Sequence, residues 1–482
     1  MKGIFALLIL VQLNAFAQQV YLPHEVETQA GPVGGVTYLN QFLNANLQIP
    51  FKSSIKGLNG RVYVRGVVEP DGSMSNVEIA RGIDALCNAE AVRVMSLFKA
   101  WKPALIKGKA VKQSISYPVT FKSPPRSNYD STRSALIDYY DSKYVPTTDP
   151  AKIRYRMIIP VDENGYVKDD VVYEEEKGAK WKQTGSASFE KKEIWFHLDY
   201  SPDAPDSVKA FQIAARDQNM ASHSSESVFQ PDGKLLSHIE YGLLTKKSLQ
   251  KSFDLNGMVR KLQVFSDSVV TEVSWYENGQ IKSVIEVNVP KSTEPEEKVY
   301  VNAWNKEGQQ TIKDGDGFLR SVEKTFNGKY LIEEGKVVSG VKNGKWTGKW
   351  LDSTLHYTEQ YELGVLNKGL SYEGGKTTEY TVAMTNPQFK GGLNAFYKFL
   401  AQNIQYPVNA SRNGVSARVK LSFVVCEDGS MCDYQVENRV GFGLDEEALR
   451  VVKKMEGHWE PGVLRGKPVR VRYFVPINFE VR

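Results

Sequence analysis

A stretch near the start of this chain returns near its end. Gly34-Gly35 through Pro50 aligns without a gap on Gly391-Gly392 through Pro407, a shift of 357 positions. Phe42-Leu43 falls on Phe399-Leu400, Arg61-Val62 on Arg418-Val419, Val67-Val68 on Val424-Val425, and Asp71-Gly72-Ser73-Met74 on Asp428-Gly429-Ser430-Met431. After Glu90-Ala91 on Glu447-Ala448, one inserted residue moves the shift to 358. Trp101 then meets Trp459, Gly108-Lys109 meets Gly466-Lys467, and Pro118 and Phe121 meet Pro476 and Phe479. The chain must therefore contain one domain twice. The copies span 31–122 and 386–482 and enclose a middle region of different composition.

Each copy reads as helix, hairpin, helix, strand, an α+β arrangement. Gly391 to Asn403 carries Leu393, Phe396, Phe399 and Leu400 on one face and must stop before Tyr406-Pro407. Arg418 to Val425 alternates, with Val419, Leu421, Phe423 and Val425 facing one way. Glu427-Asp428-Gly429 turns it back. A type I turn with a G1 bulge accepts Pro at its second position and needs positive φ at its fourth, where the first copy has Pro70 and Gly72. Leu444, Ala448, Val451 and Met455 then define a helix over about 444–455, matched by Cys87, Ala91, Val94 and Phe98. Cys87 thus fills a core position as a small hydrophobe. Lys467 to Glu480 alternates Val469, Val471, Tyr473 and Val475 with Arg470, Arg472 and Phe474, which predicts one strand at the sheet edge.

Gly-Gly, Phe-Leu, Tyr406-Pro407-x-x-Ala410, Asp-Gly-Ser, Glu-Glu-Ala-Leu-Arg-Val-Val, Trp459-x-Pro461-Gly462, Gly466-Lys467-Pro468-Val469 and Pro476-x-x-Phe479 together resemble the C-terminal domain of TonB energy transducers. The first copy departs from the pattern at Ile49, Ser53 and Ala104, where the second has Tyr406, Ala410 and Gly462. The resemblance implies a periplasmic module that pairs an edge strand with a short extended segment of a TonB-dependent outer-membrane receptor. It places the partner-binding residues on Val469, Arg470, Val471, Arg472, Tyr473, Phe474 and Val475, with Tyr406-Pro407 as motif. The uncleaved anchor and proline-rich arm of the family have no counterpart here.

Ile4 to Val11, weakly extended to Phe16, follows Lys2 and precedes Ala15-Phe16-Ala17. This reads as a signal peptide, residues 1–17, cleaved after Ala17. Gln12 and Asn14 interrupt the run well short of the ~20 apolar residues a membrane span needs. The expectation is export to the periplasm. A formal charge of +5, from 61 basic and 56 acidic residues, supplies no field for gripping nucleic acid.

From 228 to 376 an aromatic-x-x-(Asp/Asn/Glu)-Gly phrase recurs, at Phe229–Gly233, Phe253–Gly257, Trp275–Gly279 and Trp304–Gly308. These are hairpin turns whose aromatics should cover neighbouring hairpins in a stacked β-meander. Gly340 to Trp350 resembles a MORN repeat, which implies scaffolding. Residues 123–227 are left without a function, with a helix expected near Ser134 to Tyr144 and a hairpin around Asp162 to Gly165.

Catalytic signatures are missing. No phosphate loop, HExxH, paired CxxC or nucleophile elbow occurs, and the six histidines show no i, i+3 or i, i+4 pairing. No enzyme activity, cofactor, metal or small-molecule substrate is expected. Cys426 and Cys432 flank the second hairpin as a same-face diagonal pair and are a candidate disulfide, the alternative being two half-buried thiols. The functional expectation is receptor binding by β-strand addition, linked to transport across the outer membrane. Its rival is an envelope scaffold or adaptor that docks on other envelope proteins.

Overall fold

The computed structural model describes residues 19–123, 128–178, 180–198, 205, 207–215, 225–242, 246–289, 297–325 and 328–480. The leader read at 1–17 lies outside the described residues.

In the first copy, helix Val36–Asn46 and a short helix Phe51–Ser54 precede strands Asn59–Val68 and Met74–Arg81. Helix Ala85–Leu97 and strand Lys109–Lys122 follow. The helix begins at Asp84, whose extended backbone lets its carboxylate accept the Cys87 N–H at 2.6 Å. The second copy repeats the plan with helices Gly392–Asn403, Val408–Arg412 and Leu444–Lys453 and strands Ala417–Val425, Met431–Val436 and Val471–Phe479. The short helices Phe51–Ser54 and Val408–Arg412 were invisible to periodicity because each spans about one turn. Both follow a proline, which starts a helix readily.

The hairpin turn fixes the register in both copies. Gly72 donates to Glu69 O at 3.0 Å and Gly429 to Cys426 O at 3.0 Å. Their φ values are 80° and 81°, and an added Cβ would lie 2.4 and 2.6 Å from the carbonyl oxygens of Trp101 and Trp459. Glycine is required there for conformation and for space.

Two expectations need correction. Ser134 to Tyr144 is not helical: Ala135–Tyr140 is a strand in a five-stranded sheet ordered Lys180–Ala187, Val171–Lys177, Tyr155–Pro160, Ala135–Tyr140, Tyr129–Asp130. Ala135 and Ile137 share the buried side, a two-residue period that a short apolar run does not separate from a helical one. Around Asp162 the expected hairpin is present and short: Gly165 N–H reaches Asp162 O at 3.1 Å, Asp162 N–H reaches Tyr166 O at 2.9 Å, Lys168 N–H reaches Pro160 O at 3.1 Å, and Val161 bridges Val167. The last strand also divides. Lys467–Val469 pairs with Gly462–Leu464, and after Arg470 the strand Val471–Phe479 pairs with Ala417–Val425. Val469 and Arg470 therefore lie outside the main-sheet strand.

Between the copies runs a sixteen-stranded antiparallel sheet in chain order, from Phe189–His197 to Lys376–Tyr380. The repeated phrase is its repeated turn. Gly233, Gly257, Gly279 and Gly308 donate to Gln230, Asp254, Tyr276 and Asn305 at 2.9 to 3.1 Å.

The chain forms two compact units. In the first, Phe229, Phe253, Trp275 and Trp304 do not serve chiefly to cover other hairpins. They join Leu39, Phe42, Val94, Phe98 and Trp101 of the first copy in one core. In the second, the core of the second copy is drawn from residues between Phe389 and Phe479.

Candidate functional site

The sheet of the second copy has the order Met431–Val436, Ala417–Val425, Val471–Phe479, so the last strand has a neighbour on one side among the described residues. Which of its main-chain groups face the open side follows from Lys420. Its C=O accepts the Glu437 N–H at 2.9 Å, and its N–H donates to Asn438 Oδ1 at 2.5 Å. Both groups of Lys420 thus point toward Met431–Val436. Pro476, opposite Lys420, must then turn its own main chain outward, where a residue without N–H interrupts no ladder bond. Counting by two along the strand, Arg472, Phe474 and Asn478 present N–H and C=O to the open side. Val471, Tyr473, Val475, Ile477 and Phe479 bond inward.

Free donors therefore cluster at Arg472 and Phe474, ahead of Pro476. The side chains alternate as well. Val475, Ile477 and Phe479 enter the core, while Phe474 is 63% exposed on the other face. Arg472 reaches back across that face, Nη1 donating to Ser422 Oγ at 3.0 Å and to Asp433 O at 3.3 Å. Arg470 follows it, Nη2 lying 3.5 Å from Asp433 Oδ2. The arginines lie over the sheet and leave the edge backbone clear.

Tyr406-Pro407 sits elsewhere. Pro407 caps helix Val408–Arg412, and the Tyr406 hydroxyl donates to Val415 O while its ring meets Phe479 at 6.0 Å. The pair packs against the far end of the strand. The signal that identifies the outward residues was present in the sequence as Pro476, whose missing donor fixes the parity of the strand.

Cys426 and Cys432 keep the register expected of them, with Val424 opposite Cys432 and Cys426 N–H bonded to Ser430 O at 2.9 Å. Both are free thiols whose Sγ atoms lie 3.1 Å apart. The hydrogen bond to Cys426, with desolvation, pushes the Cys432 thiol up.

A cleft of about 920 Å³ in the first unit is lined by Phe51, Tyr140, Tyr166, His238 and Lys251. Its His238 shares a hydrogen bond with Ser227 Oγ at 2.9 Å, and its Lys251 ammonium donates to Ala45 O at 2.8 Å. Among the described residues no group of three His, Cys, Asp or Glu side chains could hold a metal ion. No helix among them is long and apolar enough to cross a membrane.

Two longer helices packed on a small antiparallel sheet, occurring twice, with the last strand open on one side in the second copy, define a small α+β module. The family model for the Gram-negative bacterial TonB protein C-terminal domain matches residues 46–123 and 402–481. The chain thus carries two TonB C-terminal domains. No curated protein matches the chain.

Proposed function

We propose that this is an exported periplasmic protein whose second TonB C-terminal domain takes up an extended receptor segment on the strand Val471–Phe479. The observation that supports this most directly is the pair of outward donors at Arg472 and Phe474 on an edge with no neighbour among the described residues. Main-chain pairing supplies affinity there, and the exposed Phe474 supplies a side-chain contact. Arg472→Pro removes an outward donor and leaves the inward ladder intact. Binding of peptides from the periplasm-facing segments of outer-membrane receptors should fall about 5- to 150-fold in Arg472→Pro and little in Arg472→Ala, since a lost hydrogen bond at a desolvated edge is worth about 1–3 kcal/mol. Equal affinity of folded Arg472→Pro and the parent chain would show that the edge is not the contact.

The long hairpin sheet supports a second reading, an envelope scaffold. Its glycines take aromatic rings from the next strand, Gly335 under Trp346, Gly348 under Tyr357 and Gly369 under Tyr380, a pairing that pins strand register. Capture from periplasmic extract separates the two: receptors in the eluate favour transport, and other envelope proteins alone favour the scaffold.

A further inference from the structure

The start of the last strand's outer side is open in the second copy and paired in the first. Val20–Tyr21 runs parallel to Lys109–Lys122, with Val20 opposite Lys112 and Tyr21 opposite Gln113. The sheet order is Val20–Tyr21, Lys109–Lys122, Asn59–Val68, Met74–Arg81. At the shift of 358, Lys112 and Gln113 are the counterparts of Arg470 and Val471. The start of that side, at Lys112–Gln113, is therefore paired in one copy and vacant in the other, while Ser114 and Ser116, the counterparts of Arg472 and Phe474, lie beyond the pairing.

The approach to both domains is otherwise shared. Thr28 bridges Leu105 as Thr385 pairs with Val463, and Gly31–Pro32 lies on Trp101–Lys102 as Gln388–Phe389 lies on Trp459–Glu460. The two approaches part farther upstream. The counterparts of Val20 and Tyr21 are Thr377 and Thr378, which belong to strand Lys376–Tyr380 and pair with Val365–Glu373 of the hairpin sheet. That pairing draws the segment away from the second copy's edge. In the first copy no such sheet precedes the segment among the described residues, and it folds onto the edge.

We infer that the start of the first copy's last strand is a second strand-accepting edge whose resident occupant is the chain's own Val20–Tyr21, so that an extended partner pairs along Lys112–Gln113 only by displacing it. The class of partner rests on the function proposed above; the occupancy rests on the pairing itself. Displacement costs the fold little. The anchored part of the segment starts at Glu27, where Glu27 and Thr28 N–H both reach Leu105 O at 3.1 Å and the Glu27 carboxylate accepts the Lys107 N–H at 2.8 Å. Ala30 N–H is held by Gln113 Oε1 at 2.7 Å. Ahead of these contacts come one turn, Pro23–Glu25, and a two-residue strand with Val20 and Leu22 exposed. A short tether gives such a strand a local concentration of about millimolar, enough to hold a weak pairing closed against dilute competitors. The partner that fits is an extended segment parallel to Lys109–Lys122 that can place an apolar and an aromatic side chain where Val20 and Tyr21 lie.

The probe is a labelled synthetic peptide copying residues 18–28, added to the full chain and to Val20→Pro/Tyr21→Pro, which removes both donors of the resident strand. The double variant should bind one more peptide per chain than the parent, and amide exchange over 109–117 should speed up in the variant and slow again when peptide is added. The stoichiometry is repeated in an Arg472→Pro background. A gained site that survives there lies on the first copy, whatever the second copy binds, so loss of receptor binding by the second copy and failure of this inference are separate results. No gain in stoichiometry, or unchanged exchange over 109–117, overturns it.

Discussion

Arg465 shows how one residue separates two otherwise equivalent turns. It and its counterpart Lys107 share a left-handed backbone, with φ of 49° and 50°. Lys107 is exposed. The Arg465 guanidinium instead lies 3.5 Å above the Tyr357 ring, with Nε 3.0 Å from Glu359 Oε1 and Nη2 3.2 Å from Glu333 Oε1. The Glu359 side chain is 0% exposed and accepts from the Tyr361 and Tyr380 hydroxyls at 2.9 and 2.8 Å as well. Removing the cation strands a buried carboxylate, so Arg465→Ala should cost the second unit about 3–5 kcal/mol, against about 0.5 kcal/mol or less for Lys107→Ala, read by urea melts. The same cluster sets an acid limit. Burial pushes the Glu333 carboxyl up, but Lys342, the Tyr357 hydroxyl and Arg465 outweigh it and hold it below its ordinary 4.5. A depressed carboxyl gives stability that is fully present above its unfolded value and is lost as pH falls through the folded one. The second unit's melting temperature should therefore drop on acidification below about pH 4.5, and less steeply in Arg465→Ala. An equal slope in both proteins would remove Glu333 from the account.

At the scale of elements, the helices Val36–Asn46 and Gly392–Asn403 start from matching sequence and end in different surroundings. Asn46 donates to Phe42 O at 2.9 Å, and Asn403 donates to Phe399 O at the same distance. Asn46 Oδ1 also accepts the Val259 N–H of a hairpin at 2.6 Å, and the turn at Gly279 rests directly on Phe42 and Phe98. Phe42 is buried and Phe399 half-buried in consequence. This predicts unequal costs for one substitution at equivalent turns. An added Cβ at Gly279 lies 2.9 and 3.0 Å from the Phe42 and Phe98 rings, whereas at Gly233 nothing stands within 4 Å. Both glycines have φ of 84° to 87°, so Gly233→Ala should cost about 1 kcal/mol for the backbone alone, and Gly279→Ala about 2–4 kcal/mol once overpacking is added. Similar losses in thermal melts would mean that the turn at Gly279 does not bear on the helix. The turns were legible in the sequence because Asn-Gly and Asp-Gly act locally, and the hairpin register followed from Pro70 and Gly72. The partner of each aromatic was not legible, since Trp275 and Phe42 are distant in the chain and periodicity carries no long-range pairing. At the candidate edge, alternation gave the strand but not its break at Arg470, which depends on the separate pairing of Lys467–Val469 with Gly462–Leu464.

For the whole molecule, the duplication yields two domains that stand differently on their own. The second copy's buried cluster, from Phe389 through Phe423, Trp459 and Phe479, is assembled from residues within 386–482. Its ties to the hairpins among the described residues include Arg465 with Glu333 and Glu359 and over the Tyr357 ring, Ser371 Oγ to Arg465 O at 3.0 Å, and Lys467 with Glu373. Excision leaves those groups of the domain in water, where they are satisfied. The first copy's cluster is shared, since Phe253, Met258, Val259, Trp275, Ile281 and Trp304 complete it. Excision of 31–122 bares Phe42 and Phe98 and frees the Asn46 amide and the Lys99 N–H that donates to Asn278 O at 2.8 Å. Each large core side chain left exposed forfeits about 1.5–3 kcal/mol, and two or three such losses approach the whole stability of a domain this small. The fragment 386–482 should therefore melt cooperatively with dispersed amide signals. The fragment 31–122 should melt broadly or bind a hydrophobic dye, and should recover a sharp transition when extended through residue 310 to regain the hairpins. If 31–122 proves as stable as 386–482, the hairpin sheet does not complete the first copy's core, and the asymmetry drawn between the two domains falls with it.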